Sequence, residues 1–151
     1  MGNNDAYAYE STVRLPTLSI GTETYTYRSG FIDIATGAES TDGCFFLYTD
    51  GTNAGKWQRV CRSSSVESTC DTGITVAANT WYRINVIPNS AGISVDFQTA
   101  GTSLCQVTTN IPTGAGRGTG FGSVIGKSAG TTERTADLDY IEVLGQLNIA
   151  R

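Results

Sequence analysis

Apolar residues recur at every second position along nearly the whole of this chain, and almost nowhere at every third or fourth. That spacing constrains the fold more than any other feature. Successive side chains of a pleated strand point to opposite sides, so a period of two marks strands with one covered face. Tyr7, Tyr9, Ser11, Val13 and Leu15 alternate with Ala8, Glu10, Thr12 and Arg14 until Pro16 stops the run. Glu23 to Phe31 alternates through Tyr25 and Tyr27 and continues to Ile34, where turn formers take over. Further strands are predicted over Cys44–Tyr48, Trp57–Arg62, Val66–Thr72, Thr80–Ile87, Ile93–Gln98, Leu104–Thr109, Ser123–Ile125 and Ala136–Leu144. Short antiparallel strands without a helix imply an all-β sandwich or barrel.

Composition agrees with one packed unit. The chain has 151 residues, 39% hydrophobic and only 16% charged, which is too apolar and too weakly charged for disorder. Neither an internal repeat nor an interdomain linker interrupts residues 1–151, so a single domain is expected. The net charge of −4, with Lys and Arg scattered, offers no cationic footprint for nucleic acid. No apolar run approaches the ~20 residues of a membrane helix, and Met1 does not open a charged and then apolar leader.

The cysteines are Cys44, Cys61, Cys70 and Cys105, without a C-x-x-C pair and without any His in the chain, which argues against zinc. Cys44–Tyr48 and Trp57–Arg62 read as a hairpin around the loop 49–56. If Tyr48 faces Trp57 across it, the same register sets Cys44 opposite Cys61, within disulfide range. A second turn at Ser63–Ser65 could instead bring Cys61 to Cys70. At least one bridge is expected, with its connectivity open.

Several segments suggest chemistry and then fail its requirements. Phe121-Gly-Ser-Val-Ile-Gly-Lys-Ser128 is close to a phosphate loop, but Phe121 occupies the first glycine position and a strand, not a helix, follows. Gly114-Ala-Gly-Arg-Gly-Thr-Gly120 has the glycines of a dinucleotide site without its strand–helix–strand setting, and reads as a loop. Asp137 and Asp139, two apart on a strand, should share a face, with Glu142 opposite. Such a pair could cleave glycosides or hold Ca²⁺, though a solvent-facing pair is the simpler expectation. Asp50-Gly-Thr-Asn53 could also ligate Ca²⁺ but reads as a hairpin loop, and no cofactor is expected. Without His, no Ser-His-Asp or Cys-His site can be built. Aromatic side chains could stack on sugars, Trp57 and Trp81 being the candidates, although most of Tyr25, Tyr27, Tyr48, Trp57, Trp81 and Tyr82 should be core.

The order of short motifs carries a resemblance. Gly30-Phe-Ile-Asp33, Ala35-Thr-Gly-Ala-Glu39, Thr41-Asp-Gly43 and the aromatic strand ending at Tyr48 form one block. Trp57-Gln-Arg-Val60, Asp71-Thr-Gly73, Thr80-Trp-Tyr-Arg-Ile84 and Val95-Asp-Phe97 form a second. Asn110-Ile-Pro112, Ile125–Lys127, Ala129-Gly-Thr131 and Asp139-Tyr140 complete it. From about Tyr9 to Leu144 the chain resembles a domain of bacteriophage virion proteins with a concanavalin A-like lectin/glucanase jelly-roll sandwich. The resemblance implies a structural role on the extracellular particle, as a capsid decoration, head-fibre or tail-associated protein. Capsid, fibre or tail proteins and further copies of the chain would be its partners. The alternative it offers is a carbohydrate-binding module that attaches to cell-surface glycan.

Catalysis is not implied. The glucanase strand Glu-x-Asp-x-x-Glu has its nearest counterpart in Asp137-Leu-Asp-Tyr-Ile-Glu142, with Asp137 where the first Glu belongs. Domains of this kind also carry further strands before the segment equivalent to Tyr7–Leu15. An open sheet edge is therefore expected, and with it assembly through residues 1–30 and the outer strands. The cysteines stand where ordinary strand residues belong in the family, which implies covalent reinforcement.

Overall fold

The computed structural model describes residues 6–146 except 35, 50, 52, 90, 93 and 114–116. Among these residues ten strands follow one another: β1 (Ala6–Arg14), β2 (Tyr25–Ile32), β3 (Gly43–Thr49), β4 (Lys56–Ser63), β5 (Val66–Thr75), β6 (Trp81–Pro88), β7 (Val95–Thr99), β8 (Thr102–Val107), β9 (Gly120–Lys127) and β10 (Asp137–Gln146). Among the described residues there is no regular helix; Asn53–Gly55 forms a tight turn in which all three residues have positive φ. The strands make two five-stranded antiparallel sheets, a front sheet ordered β10-β1-β6-β7-β8 and a back sheet ordered β5-β4-β3-β2-β9. This is the jelly-roll sandwich.

The alternation seen in the sequence becomes the core. Tyr9, Ser11 and Val13 point inward from β1, and Tyr25, Tyr27, Ser29 and Phe31 from β2, all buried. Trp57 sits at the centre, with the rings of Tyr27, Phe46, Tyr48 and Tyr82 5.6–6.3 Å away, mostly edge-on, as ring quadrupoles prefer. Between the sheets lies a cluster of hydroxyls. Ser29 Oγ is 2.8 Å from Tyr9 OH, 3.0 Å from Ser11 Oγ and 2.9 Å from Ser123 Oγ, and Tyr27 OH donates to Ser123 Oγ. Each hydroxyl satisfies another, which makes burial of this polar group tolerable.

Two tight turns set the register of the hairpins. Ser64 and Ser65 both have positive φ, as do Ala100 and Gly101, the requirement of the two-residue turns that match strand twist. The first turn sets Ser63 against Val66 and hence Cys61 against Ser68, so Cys61 does not meet Cys70. In the β3–β4 hairpin Cys44 lies opposite Cys61 and the two are bonded, with Cα atoms 4.1 Å apart. The second disulfide joins Cys70 on β5 to Cys105 on β8, tying the back sheet to the front along one side.

The segment 33–42 folds over the outer face of the back sheet. Arg28, buried there, donates to the Ala38 and Gly37 carbonyls, and Asp33 accepts from the Thr41 and Asp42 amides. On that face Ile32, Phe45 and Val60 form a second buried cluster with Leu47 and Val124 packed against it. Gly126 permits the approach, because a Cβ there would stand 2.8 Å from Gly37 Cα. The segment resembling a phosphate loop is part of β9, an edge strand, and no helix follows it.

Candidate functional site

With part of the back sheet's outer face covered, the outer face of the front sheet is a broad open surface among the described residues. Inward residues of β1 are odd-numbered, so Glu10, Thr12 and Arg14 face out. Cross-strand partners point the same way. One row across the sheet is Asp137, Arg14 and Trp81; the next is Tyr140, Thr12 and Arg83; a third is Glu142, Glu10 and Asn85, with Gln98 beyond it. Every one of these side chains is half-buried or exposed.

The register corrects one expectation. A bulge between Thr12 and Val13 inserts Asp139 as an extra residue on β10, so Tyr140 pairs with Thr12 and Leu138 with Val13. The strand changes phase there. Asp137 and Glu142 consequently project to the same outer face, and Asp137 and Asp139 are not a simple alternating pair.

The platform is held by charge. Arg14 binds Asp137 Oδ2 through Nε at 2.9 Å and Nη2 at 2.6 Å, and its guanidinium lies 4.8 Å from the Trp81 ring centroid. Trp81 is thereby fixed in orientation while remaining 45% exposed. At the centre Glu10 accepts from Arg83 Nε at 2.6 Å and Nη2 at 3.0 Å, and from Asn85 Nδ2. The hydrogen bond from Arg83 holds the Glu10 carboxyl below its ordinary pKa, against the effect of burial. The Tyr140 phenol is pushed up, first by its hydrogen bond to Glu142. Further along, Asp96 accepts from Gln98 Nε2 at 2.7 Å and Ser103 Oγ at 2.6 Å. The face therefore offers two aromatic rings, Trp81 and the 42% exposed Tyr140, among oriented amides, hydroxyls, two arginines and an excess of carboxylates.

The two tryptophans part company. Trp57 is fully buried, because its strand sets it in phase with Arg59 and Cys61 toward the opposite sheet, and it has no access to a surface ligand. Trp81 lies on the open face. Asn53 of the loop considered for Ca²⁺ donates to Asp71, while Asp50 and Thr52 lie outside the described residues, as do 114–116 of the glycine-rich loop. Among the described residues no three His, Cys, Asp or Glu side chains converge as a metal site. Tyr140, Arg83 and Glu10 are not among the ligand candidates that the sequence offers. Their signal is pairing across β10, β1 and β6, which a one-dimensional pattern does not carry.

A family model described as SO2946-like, C-terminal domain, matches residues 2–139. The chain belongs to that family. No curated protein matches it in sequence. Solved structures share the fold at low identity. The carbohydrate-binding module CBM66 of Bacillus subtilis superposes with a TM-score of 0.56 at 8% identity, covering 92% of this chain and 74% of that one. A β-glucanase of Bacillus licheniformis gives 0.57 at 16%, covering 90% and 64%. Sheep galectin-11, in complex with glycerol, gives 0.51 at 13%, covering 92% and 90%. These likenesses establish the concanavalin A-like jelly roll.

Proposed function

We propose that this domain binds a neutral oligosaccharide across the outer face of the front sheet, and that it binds without turning the ligand over. The observation that carries the proposal is the contrast between the two sheets. The back sheet's face is covered by 33–42, whereas the front sheet presents Trp81 and Tyr140 among hydrogen-bonding groups already fixed by Arg14, Arg83 and Glu10. Apolar sugar faces stack on aromatic rings, and fixed polar groups bind hydroxyls at little entropic cost. Trp81 and Tyr140 are two strands and two residues apart, about 12 Å from sheet geometry, a span for an oligosaccharide and not for a single sugar. Glu10, Glu142, Asp137 and Asp96 outnumber Arg14 and Arg83 on this face, which disfavours uronates and sulfated sugars.

Support for binding without catalysis comes from the carboxylates. A glycosidase needs one of its pair protonated as an acid. Glu10 is held ionised by Arg83, and Asp137 is engaged by Arg14. The carbohydrate-binding and lectin relatives favour the same proposal. Display on a bacteriophage particle, which the sequence resemblance implies, finds no counterpart among them; two disulfides suit an extracellular setting of that kind. A glycan array followed by calorimetry tests the proposal. Neutral oligosaccharides should bind, and Trp81→Ala should weaken them at least tenfold. Binding only to anionic glycans, or binding indifferent to Trp81→Ala, would refute it.

A further inference from the structure

The two sides of the sandwich are finished differently. Along one side the edges β5 and β8 are joined by Cys70–Cys105, and Ser68 Oγ lies 2.6 Å from Thr109 Oγ1 and accepts from Asn110 Nδ2. Along the other, the edges are β9 and β10, and side chains directed between the sheets remain in solvent. Phe121 pairs with inward Phe31 yet is 59% exposed; Leu138 and Ile141 pair with inward Val13 and Ser11 yet are 44% and 42% exposed. At the far end of this side Tyr7, Phe31, Arg117, Gly118 and Thr119 line a pocket of about 250 Å³.

Charge is unequal across the two edges. β10 carries Asp137, Asp139 and Glu142 and no cation, whereas β9 carries no carboxylate and ends at Lys127. Direction is equally specific. Lys127 pairs with Tyr25 at the start of β2, and Asp137 with Arg14 at the end of β1. Residues 15–24 connect Arg14 to Tyr25 and fold over that end of the sandwich, with Ser19 bound to Tyr48 OH and to Tyr25. So β9 runs toward the end from which β10 departs.

We propose that a second copy of this chain closes the open side, β10 of each copy pairing with β9 of the other. A two-fold axis parallel to the strands preserves strand direction, so β10 and the opposing β9 meet antiparallel, as a ladder requires. Each front sheet then continues into the other copy's back sheet, and the inward Phe121, Leu138 and Ile141 enter one shared core. Lys127 of one copy arrives level with Asp139 of the other, the bulged residue without a partner on β1, whereas Asp137 is turned to the outer face and held by Arg14. Two of its three donors are used by Glu23 and the Thr132 carbonyl, which leaves one for a carboxylate. Pairing β10 with β10 would instead double three carboxylates along one seam, a repulsive arrangement. Phe121 of each copy comes level with the pocket of the other, since Phe31 and Tyr7 lie at that end.

The test mixes ordinary and ¹⁵N-labelled chains, lets them exchange, and applies a zero-length carbodiimide cross-linker. A dimer by sedimentation, with mixed-isotope peptides joining Lys127 to Asp139, is expected. Phe121→Asp and Ile141→Asp, at exposed positions and with unchanged circular dichroism, should raise the dimer dissociation constant at least tenfold. Val66→Asp, equally exposed but on β5, should leave it unchanged. A wild-type monomer at high micromolar concentration would overturn the proposal. So would a dimer linked through other residues, or one that survives Phe121→Asp.

Discussion

Removing the bridge between Cys70 and Cys105 should destabilise the domain by about 4 kcal/mol, almost all of it through the unfolded chain. The two cysteines are 35 residues apart in sequence, and closing a loop of that length removes roughly this much conformational freedom from the unfolded ensemble. In the folded state the loss is small. The same side keeps Ser68 bound to Thr109 and Asn110, and both half-buried cysteines can become alanine without opening a deep cavity. Urea unfolding of Cys70→Ala/Cys105→Ala, without reductant, should show the loss together with a larger m-value, because the freed chain exposes more surface. Cys44→Ala/Cys61→Ala should behave differently. Its loop spans 17 residues, worth about 3 kcal/mol by the same account. Both side chains are fully buried, so a cavity cost is added and the m-value changes less. A loss below about 1 kcal/mol for the Cys70/Cys105 variant, with an unchanged m-value, would refute this division of roles.

Three further outcomes follow from particular contacts. Glu23 accepts from the amides of Thr131 and Thr132 and from Lys127, which hold its carboxyl down to about 2. Its stabilisation is complete above the ordinary value near 4.5 and is lost as pH falls toward 2; the protection of the Thr131 and Thr132 amides, measured against their intrinsic exchange rates, should fall across that window, and Glu23→Gln should abolish the dependence. Gly30→Ala should cost roughly 2–3 kcal/mol in chemical denaturation, because φ is +148° there and a Cβ would stand 2.6 Å from the Cys44 carbonyl. Ser29→Ala should cost about 1–3 kcal/mol in the same assay, since Tyr9, Ser11 and Ser123 all lose a hydrogen-bond partner.

How far the sequence reaches depends on whether a feature is local. Alternation located the strands, and the hairpin register inferred from Tyr48 and Trp57 is the one that pairs Cys44 with Cys61. The bridge from Cys70 to Cys105 depends on two edge strands meeting across the sandwich, which no spacing encodes. Trp57 and Trp81 begin similar strands after similar loops, and only sheet phase sends one inward and the other out. Arg59 is the sharpest case. A charged residue among Trp57 and Cys61 reads as surface, yet it is buried and donates to the Asp71 carbonyl. The bulge at Asp139 was equally invisible, because an extra residue leaves no mark in the composition of its strand. Val60 and Phe45 are apolar on the outer face of the back sheet, and their burial depends on the contact with 33–42, which strand alternation does not encode.

Amide chemical shifts recorded during titration with a neutral oligosaccharide selected by array test the central claim most directly. Binding at the front sheet predicts saturable changes at Thr12, Arg83, Asn85 and Tyr140 and at the Trp81 indole, with Trp57 and the back-sheet residues Gln58 and Arg62 unmoved. Changes confined to the back sheet or to the segment 33–42, with the front sheet silent, would contradict it.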